Sequence, residues 1–269
     1  MVHNNNYVLD KIASGNKAFI CPVCASDLWV GVYKVDIWTI LQCRHCHFAR
    51  VYPVPEEDHR NVLYGKDEVI SRNKKKRNYI HQTARNLKKY SEKFRKSKSQ
   101  YFFSKITQSV TPGSRLLDIG CGDGDFLENA KQNYQCYGLE ISEYLALQAR
   151  ARGNLKIEVG RFPDKGLFQE RFHAVTMLSL LEHLVNPREA LKRCYELLEP
   201  GGVLFLKTVN YQCLNRRVMG AHWTGLRPPD HVVYFGPENL KKLMKDIGYR
   251  KVKISSWFLN DNMNCDAWK

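Results

Sequence analysis

No run of eighteen or more apolar residues occurs in the 269-residue chain, so no segment has the length one helix needs to cross a bilayer. The opening residues, Met1-Val2-His3-Asn4-Asn5-Asn6, lack the apolar core of a secretory signal, and the expectation is a cytoplasmic protein. Acidic residues are scarce too. Against 42 Lys and Arg stand 27 Asp and Glu, a formal net charge of +15. From Arg72 to Lys98, Glu92 is the only acid among twelve basic side chains. Such a segment can attract RNA, an anionic membrane surface or a diphosphate-bearing substrate, or it can be a solvated helix face. With no export signal, nine cysteines argue against a disulfide framework. Five of them (Cys121, Cys136, Cys194, Cys213 and Cys265) are scattered and read as reduced thiols.

What is present suffices for one full α/β domain and something small beside it. The hydrophobic fraction is 43% and the aromatic fraction 12%, enough for a sizeable core. After a polar tail over 1–17, a module over 18–55 holds two cysteine pairs around the β-prone stretch Leu28 to Leu41. Residues 56–110 read as a basic helical linker. From 111 to 269 short apolar runs alternate with helical patterns. The expected strands are Arg115–Ile119, Cys136–Leu139, Leu155–Glu158, Ala174–Leu178, Gly202–Lys207 and Lys251–Ser255. Helices are expected over Asp125–Gln132, Ser142–Arg152, Pro187–Leu198 and Pro237–Ile247. Strands and helices alternating at this spacing imply a parallel sheet covered on both faces.

The cysteine pairs are Cys21-Pro22-Val23-Cys24 and Cys43-Arg44-His45-Cys46, separated by eighteen residues. Two C-x-x-C knuckles so spaced match a tetrahedral four-thiolate zinc site, closed and therefore structural. A redox role for either pair explains the spacing less well. His45 and His47 are bystanders, or one of them replaces a cysteine. A module this small cannot bury enough surface to fold alone, and zinc supplies the missing stability.

The loop Asp118-Ile119-Gly120-Cys121-Gly122-Asp123-Gly124 lies between a strand and a helix. Its glycines let the backbone turn sharply and approach a ligand, and the helix start offers free N–H groups to a carboxylate. Twenty-two residues after Asp118, Glu140 ends the second strand, where an acid can accept from both hydroxyls of a ribose. The dinucleotide fingerprint spaces its glycines G-x-G-x-x-G, whereas this loop reads G-x-G-x-G behind an acid. Downstream come Leu181-Glu182-His183-Leu184 and Leu198-Glu199-Pro200-Gly201-Gly202.

With those motifs in order, residues from about Pro112 to Trp257 resemble the class I S-adenosylmethionine methyltransferases, most of all the branch with ubiquinone-biosynthesis O-methyltransferases and deoxysugar methyltransferases. The resemblance implies a Rossmann-like fold with a mostly parallel seven-stranded sheet. It implies S-adenosylmethionine as cofactor, with Asp118, Gly120, Cys121 and Gly122 at the methionine half. Glu140 would hold the ribose and Ile141 pack on the adenine, with Arg161 and Phe162 along its edge and Met177 and Leu178 beneath the cofactor. Two departures stand out: no acid at Gly160-Arg161-Phe162, and His173 where relatives usually carry aspartate. Deoxysugar enzymes also carry an N-terminal zinc module.

On the acceptor side, a hydroxyl or an activated carbon needs a base, and histidine suits neutral pH. In this fold His183 would sit beside the cofactor's methyl end. His231-x-x-Tyr234-Phe235 resembles the deoxysugar pattern whose histidine is catalytic, which favours His231 slightly as base. His222, Trp223 and Tyr234 are the expected substrate residues; the alternatives are that Trp223 is core and that His183 caps a helix. The acceptor is read as a small molecule: a sugar, nucleotide-sugar or diphosphate-linked glycan precursor. A zinc-containing RNA base methyltransferase is the alternative. No Asn-Pro-Pro-Tyr motif for amino-group methylation is present.

Overall fold

The computed structural model describes residues 19–55, 100–164, 166–256 and 260–269. The polar tail and the basic run Arg72 to Lys98 lie outside these residues. By their contacts, the described residues fall into two units. One comprises 19–55, 177–196 and 204 onward, and the other 100–176 and 197–203.

Among the described residues there are two sheets. The larger contains β4 (Arg115–Ile119), β5 (Gln135–Glu140), β6 (Lys156–Val159), β7 (Phe172–Leu178), β8 (Leu198–Val209), β10 (Lys251–Ser256) and β11 (Asn262–Trp268). Their order is β10-β11-β8-β7-β4-β5-β6. Strand β4 pairs parallel with β5 on one side and β7 on the other, β5 pairs parallel with β6, and β10 and β11 are antiparallel. This is the α/β architecture that the alternation implied, with the mostly parallel seven-stranded sheet that the family resemblance implied. The run Leu116-Leu117-Asp118-Ile119 is buried throughout, as a parallel strand covered on both faces requires. Because β5 and β7 lie on opposite sides of β4, its carboxyl end is the topological switch point, where open α/β sheets bind their ligands.

The smaller sheet has the order β1-β2-β3-β9, with β1 over Trp29–Val35, β2 over Trp38–Cys43, β3 over Ala49–Tyr52 and β9 over Val233–Tyr234. Asp36, at φ 54°, turns the first hairpin in the left-handed conformation that aspartate tolerates better than most. Trp38, Ile40 and Val51 of this ribbon form one apolar cluster with Val209, Tyr211, Trp223, Leu226 and Tyr234.

Residues 100–109 are helical. The other described helices are α1 (Asp125–Ala130), α2 (Glu143–Ala151), α3 (Pro187–Leu197), α4 (Leu214–Met219) and α5 (Pro237–Ile247). Helix α5 begins at Pro237, whose fixed φ suits the first helical position, and stops at Gly248, whose φ of 122° a Cβ would strain. Strands β3, β9 and β11 were not anticipated. Strand β11 reads Asn-Met-Asn-Cys-Asp-Ala-Trp, too polar for a strand signal, yet Met263, Cys265, Asp266 and Ala267 are buried.

In the unit that carries β4, Phe172 is fully enclosed and meets the Tyr137 ring at 5.1 Å and the Phe168 ring at 5.6 Å, both edge-on. Phe172→Ala removes a ring from a core that cannot fully collapse around the gap. The variant should lose about 3–5 kcal/mol of unfolding free energy in a urea titration, with the m-value unchanged.

Candidate active site

The glycine loop is fastened to β5. The N–H groups of Gly120 and Cys121 both donate to the Leu139 carbonyl, at 2.8 and 3.1 Å. Gly122 has φ 56°, a conformation that permits the reversal into α1. Strand β5 must in turn lie close beneath the loop. A Cβ on Gly138 would come within 2.7 Å of Cys121 Sγ and 2.7 Å of Ile157 Cδ1. That glycine went unnoticed in the sequence, where it looks like any strand residue.

Glu140 is buried, and each carboxylate oxygen accepts a backbone N–H: Oε2 from Gly122 at 2.9 Å and Oε1 from Ser142 at 2.9 Å. Each oxygen keeps a further lone pair for a ligand. Asp118 Oδ1 accepts from the Thr176 hydroxyl at 2.7 Å. Full burial and the charge of Glu140 push the Asp118 carboxyl up to about 7, against the pull of the Thr176 hydrogen bond. The Arg152 guanidinium closes the far side of the loop. It donates to the Asp123 carbonyl at 2.5 Å, pairs with the Asp123 carboxylate at 3.0 Å, and pairs with Glu128. Ile141 is half-buried after β5, Arg161 half-buried and Phe162 buried after β6. Gly160 N–H, just before them, donates to the Glu140 carbonyl at 3.1 Å. Met177 is fully buried and Leu178 half-buried at the end of β7. His173 is exposed, and its Nδ1 accepts from Arg115 N–H at 3.4 Å.

In the other unit, His183 and His231 come together with their rings 4.9 Å apart at 77°. His183 ends a 3-10 turn over Leu181–His183, and its Nδ1 lies 2.7 Å from the Asp230 carbonyl and 3.1 Å from Asp230 Oδ1. His231 Nδ1 lies 2.8 Å from the Gly225 carbonyl, so this nitrogen carries the hydrogen. Its Nε2 is 2.5 Å from Arg227 Nη2, which donates to it and also pairs with Asp230 at 3.1 Å.

The electrostatics separate the two rings. Burial disfavours the charged form of His183, but the Asp230 hydrogen bond and the nearby carboxylates overcome it and raise the pKa. His231 is lowered to about 4 by burial and by the charges of His183 and Arg227. Asp230 is lowered to about 2: burial opposes its charge, and His183 and Arg227 outweigh that. One ligand atom each from Glu182, His183 and His231 lies within 4.8 Å of the others. The guanidinium on His231 Nε2 places positive charge where a cation would need a lone pair, and the Glu182 carboxylate accepts from Thr208 at 2.8 Å. This arrangement suits a cation poorly and leaves the two imidazoles able to exchange protons.

Of the expected substrate residues, His222 is exposed at the end of a 3-10 turn over Gly220–His222. Trp223 and Tyr234 are core residues, and the Tyr234 hydroxyl donates to the His231 carbonyl at 2.9 Å. Asp230 and Arg227, which decide the character of the histidines, were not singled out from sequence. The adjacency Asp230-His231 was the available signal, but it suggests a partner for His231 rather than for His183.

The four expected cysteines converge, with Sγ atoms all within 4.8 Å. Cys21 and Cys46 are 3.4 Å apart, Cys24 and Cys43 3.5 Å. A tetrahedron with zinc–sulfur arms of about 2.3 Å has edges of about 3.8 Å, so the set needs little adjustment to hold zinc. The two knuckles have the same construction. Ala25 and His47, at φ 59° and 60°, return their N–H groups to the carbonyls of Cys21 and Cys43 at 2.9 and 3.0 Å. Burial lowers the pKa of Arg50 on β3, and the charge of Cys21 acts against that lowering.

Residues 75–254 match the family described as a methyltransferase domain. The chain belongs to the class I S-adenosylmethionine-dependent methyltransferases. A ubiquinone biosynthesis O-methyltransferase of Coxiella burnetii (strain Dugway 5J108-111) is 29% identical over 163 residues, 56% of this chain and 70% of that one. The protein of the same name from Histophilus somni (strain 2336) is 35% identical over 107 residues, 36% of this chain and 45% of its own. Magnesium protoporphyrin IX methyltransferase from Synechocystis PCC 6803, solved with bound SAH, shares the fold at TM-score 0.52 and 18% identity, over 64% of this chain and 82% of that one. A Mesorhizobium loti S-adenosylmethionine-dependent methyltransferase does so at TM-score 0.51 and 16% identity, over 62% and 96%. The enzyme's cofactor is S-adenosylmethionine. Among the described residues of this methyltransferase, no helix is long and apolar enough to cross a membrane.

The buried Asp118 gives the free methyltransferase a pH signature. Its folded pKa of about 7 lies above the unfolded value of about 3.9. Between those values the unfolded chain releases a proton that the folded enzyme keeps, so this group costs stability as pH rises. Asp118→Asn removes the titration. Its stability relative to the parent should climb between pH 4 and pH 7, by on the order of 4 kcal/mol, and level off above. Urea unfolding at stepped pH measures the difference, and parallel curves for parent and variant would refute it.

Proposed function

We propose that this methyltransferase transfers the cofactor's methyl group to a hydroxyl of a small, anionic acceptor, with His183 as general base. The observation that carries the reading is the His183–Asp230 pair, 3.1 Å from Nδ1 to Oδ1. With Nδ1–H directed at the carboxylate, Nε2 is left as the base, and Asp230 stabilises the imidazolium that forms. His231, the slight favourite from the sequence pattern, is the weaker base because Arg227 donates to its Nε2. Its part is to present the Arg227 guanidinium. The names of the ubiquinone-biosynthesis relatives support O-methylation.

An anionic acceptor is supported by the composition of the segment from Lys207 to His231, which holds Lys207, Arg216, Arg217 and Arg227 against a single acid, Asp230. A nucleotide-sugar or a diphosphate-linked glycan precursor meets that description, and the deoxysugar-like pattern around His231 favours a sugar. RNA has less support, since it rests on the basic run outside the described residues and the named relatives do not favour it.

For the cofactor, we propose that Asp118, Gly120, Cys121 and Gly122 bound the methionine half. Glu140 accepts from the ribose, and Ile141, Arg161, Phe162, Met177 and Leu178 complete the lining. The cysteine set holds a structural zinc ion on Cys21, Cys24, Cys43 and Cys46. Elemental analysis of protein purified in reductant without chelator should find one zinc per chain, and its absence would remove this assignment.

The function is tested by methyl transfer from labelled cofactor to nucleotide-sugars, glycan precursors, phenolic acids and RNA, with the product identified by mass spectrometry. Glu140→Ala should weaken cofactor binding by on the order of 1–3 kcal/mol in calorimetry. His183→Ala should keep that binding and lose about a hundred- to ten-thousand-fold in turnover. Since the base must be unprotonated, the parent's turnover should rise with pH through the His183 titration, and the variant's should not. Near-normal turnover in His183→Ala would transfer the role to His231. Near-normal turnover in the double variant would leave a reaction driven by positioning alone.

A further inference from the structure

The cysteine-clamped ribbon shares a sheet with the residues that follow His231. Strand β3 pairs antiparallel with β9, Ala49 opposite Tyr234 and Arg50 opposite Val233. One residue earlier, Val51 N–H donates to the Val232 carbonyl at 3.0 Å. Val232 N–H in turn donates to the Glu182 carbonyl at 2.8 Å. The residue between His231 and β9 is thus held on one edge by the ribbon and on the other by the turn that ends in His183. A second tie runs through α5, where Asn239 Nδ2 donates to the Cys46 carbonyl at 3.1 Å while Oδ1 accepts Gly236 N–H at 2.9 Å. A third is apolar. The ribbon residues Trp38 and Ile40 share a core with Trp223, whose indole occupies the space a Cβ on Gly225 would need. The Gly225 carbonyl is the group that fixes His231 Nδ1.

A hydrogen-bonded β pair moves as a unit, and an error of about 1 Å at a reacting group can cost about a hundredfold in rate. We propose that the ribbon is a positioning element for His183 and His231: metal on the four cysteines fixes β3, β3 fixes Val232, and Val232 sets the spacing of the two imidazoles. The proposal rests on the base-assisted reading above. The cysteines act through β3 and touch neither reactant.

The test uses the full-length, zinc-loaded enzyme and two variants that leave every cysteine in place. Val51→Pro deletes the single N–H that reaches Val232. Asn239→Asp retains the acceptor for Gly236 N–H and loses the donor to Cys46. Each is measured for zinc content, S-adenosylhomocysteine affinity by calorimetry, turnover, and the NMR titration of the His183 and His231 Cε1 protons, assigned with single His→Ala variants.

The expected result for both variants is full zinc content and cofactor-product affinity within about twofold of the parent. Turnover should fall about ten- to a hundredfold, and both imidazole titrations should shift. Unchanged titrations and turnover in a variant with full zinc would overturn the proposal. So would a turnover loss matched by an equal loss of S-adenosylhomocysteine affinity, which marks general damage. If Val51→Pro loses zinc, Asn239→Asp decides by the same criteria. The imidazole titrations separate this idea from its premise. They shift if the ribbon positions the pair even when His183→Ala retains turnover, in which case the base assignment fails and the coupling stands.

Discussion

A buried carboxylate has to be satisfied, and Glu140 is satisfied by two backbone N–H groups, one on each oxygen. One belongs to the glycine loop after β4 and the other to the residue that opens α2. Moving either would leave a charge in the interior without its donors, so this side chain fixes the loop to the end of β5 before any ligand arrives. Gly138 makes the close approach sterically available, and the Leu139 carbonyl takes two further N–H groups from the loop. Asp118 has a different environment. It has one donor, Thr176, and a like charge nearby, so burial dominates and the carboxyl is held close to neutral. Of two acids twenty-two residues apart, one accepts backbone N–H groups on both oxygens and the other can donate a hydrogen bond as readily as accept one.

The second unit faces a different constraint. Three short strands cannot bury enough area to be stable alone, which is the usual reason for a metal clamp in a module of this size. Here the apolar face of the ribbon is completed by Tyr211, Trp223, Leu226 and Tyr234, all from the segment between β8 and α5. Arg216 lies over the Tyr211 ring at 4.2 Å and donates to the Tyr33 hydroxyl at 3.1 Å, tying α4 to β1. The ribbon and the segment between β8 and α5 thus share one core.

The legible parts of the sequence were those whose chemistry is local. Alternate glycines behind Asp118, an acid closing the next strand and two C-x-x-C pairs each carry their reason within a few residues. Buried parallel strands were legible too, because Leu116-Leu117 and Ala174-Val175 are apolar on both faces. What stayed hidden depends on distant pairing. Residues 49–52 carry no mark of a partner at 232–234, and Asp230 is 47 residues from the histidine it serves. Strand β11 escaped because burial there is earned by pairing with β10 rather than by hydrophobic composition. The expectation that Trp223 and Tyr234 contact substrate met a tertiary fact of the same kind. Their rings complete a core whose other half lies near the start of the chain.

The histidine pair is best considered as one titrating unit. Two imidazolium rings with centroids 4.9 Å apart repel, so the first proton taken up disfavours the second. Which ring takes the first is decided by fixed charge. Arg227 is always positive and lies on His231 Nε2, while the Asp230 carboxylate, held ionised, lies on His183 Nδ1. A proton taken up by the pair is therefore steered to His183, where the resulting cation has a counter-ion in contact. Exchanging the two partners would exchange the roles of the rings. The division of labour is thus written in Arg227 and Asp230, four and one residues ahead of His231, rather than in either histidine.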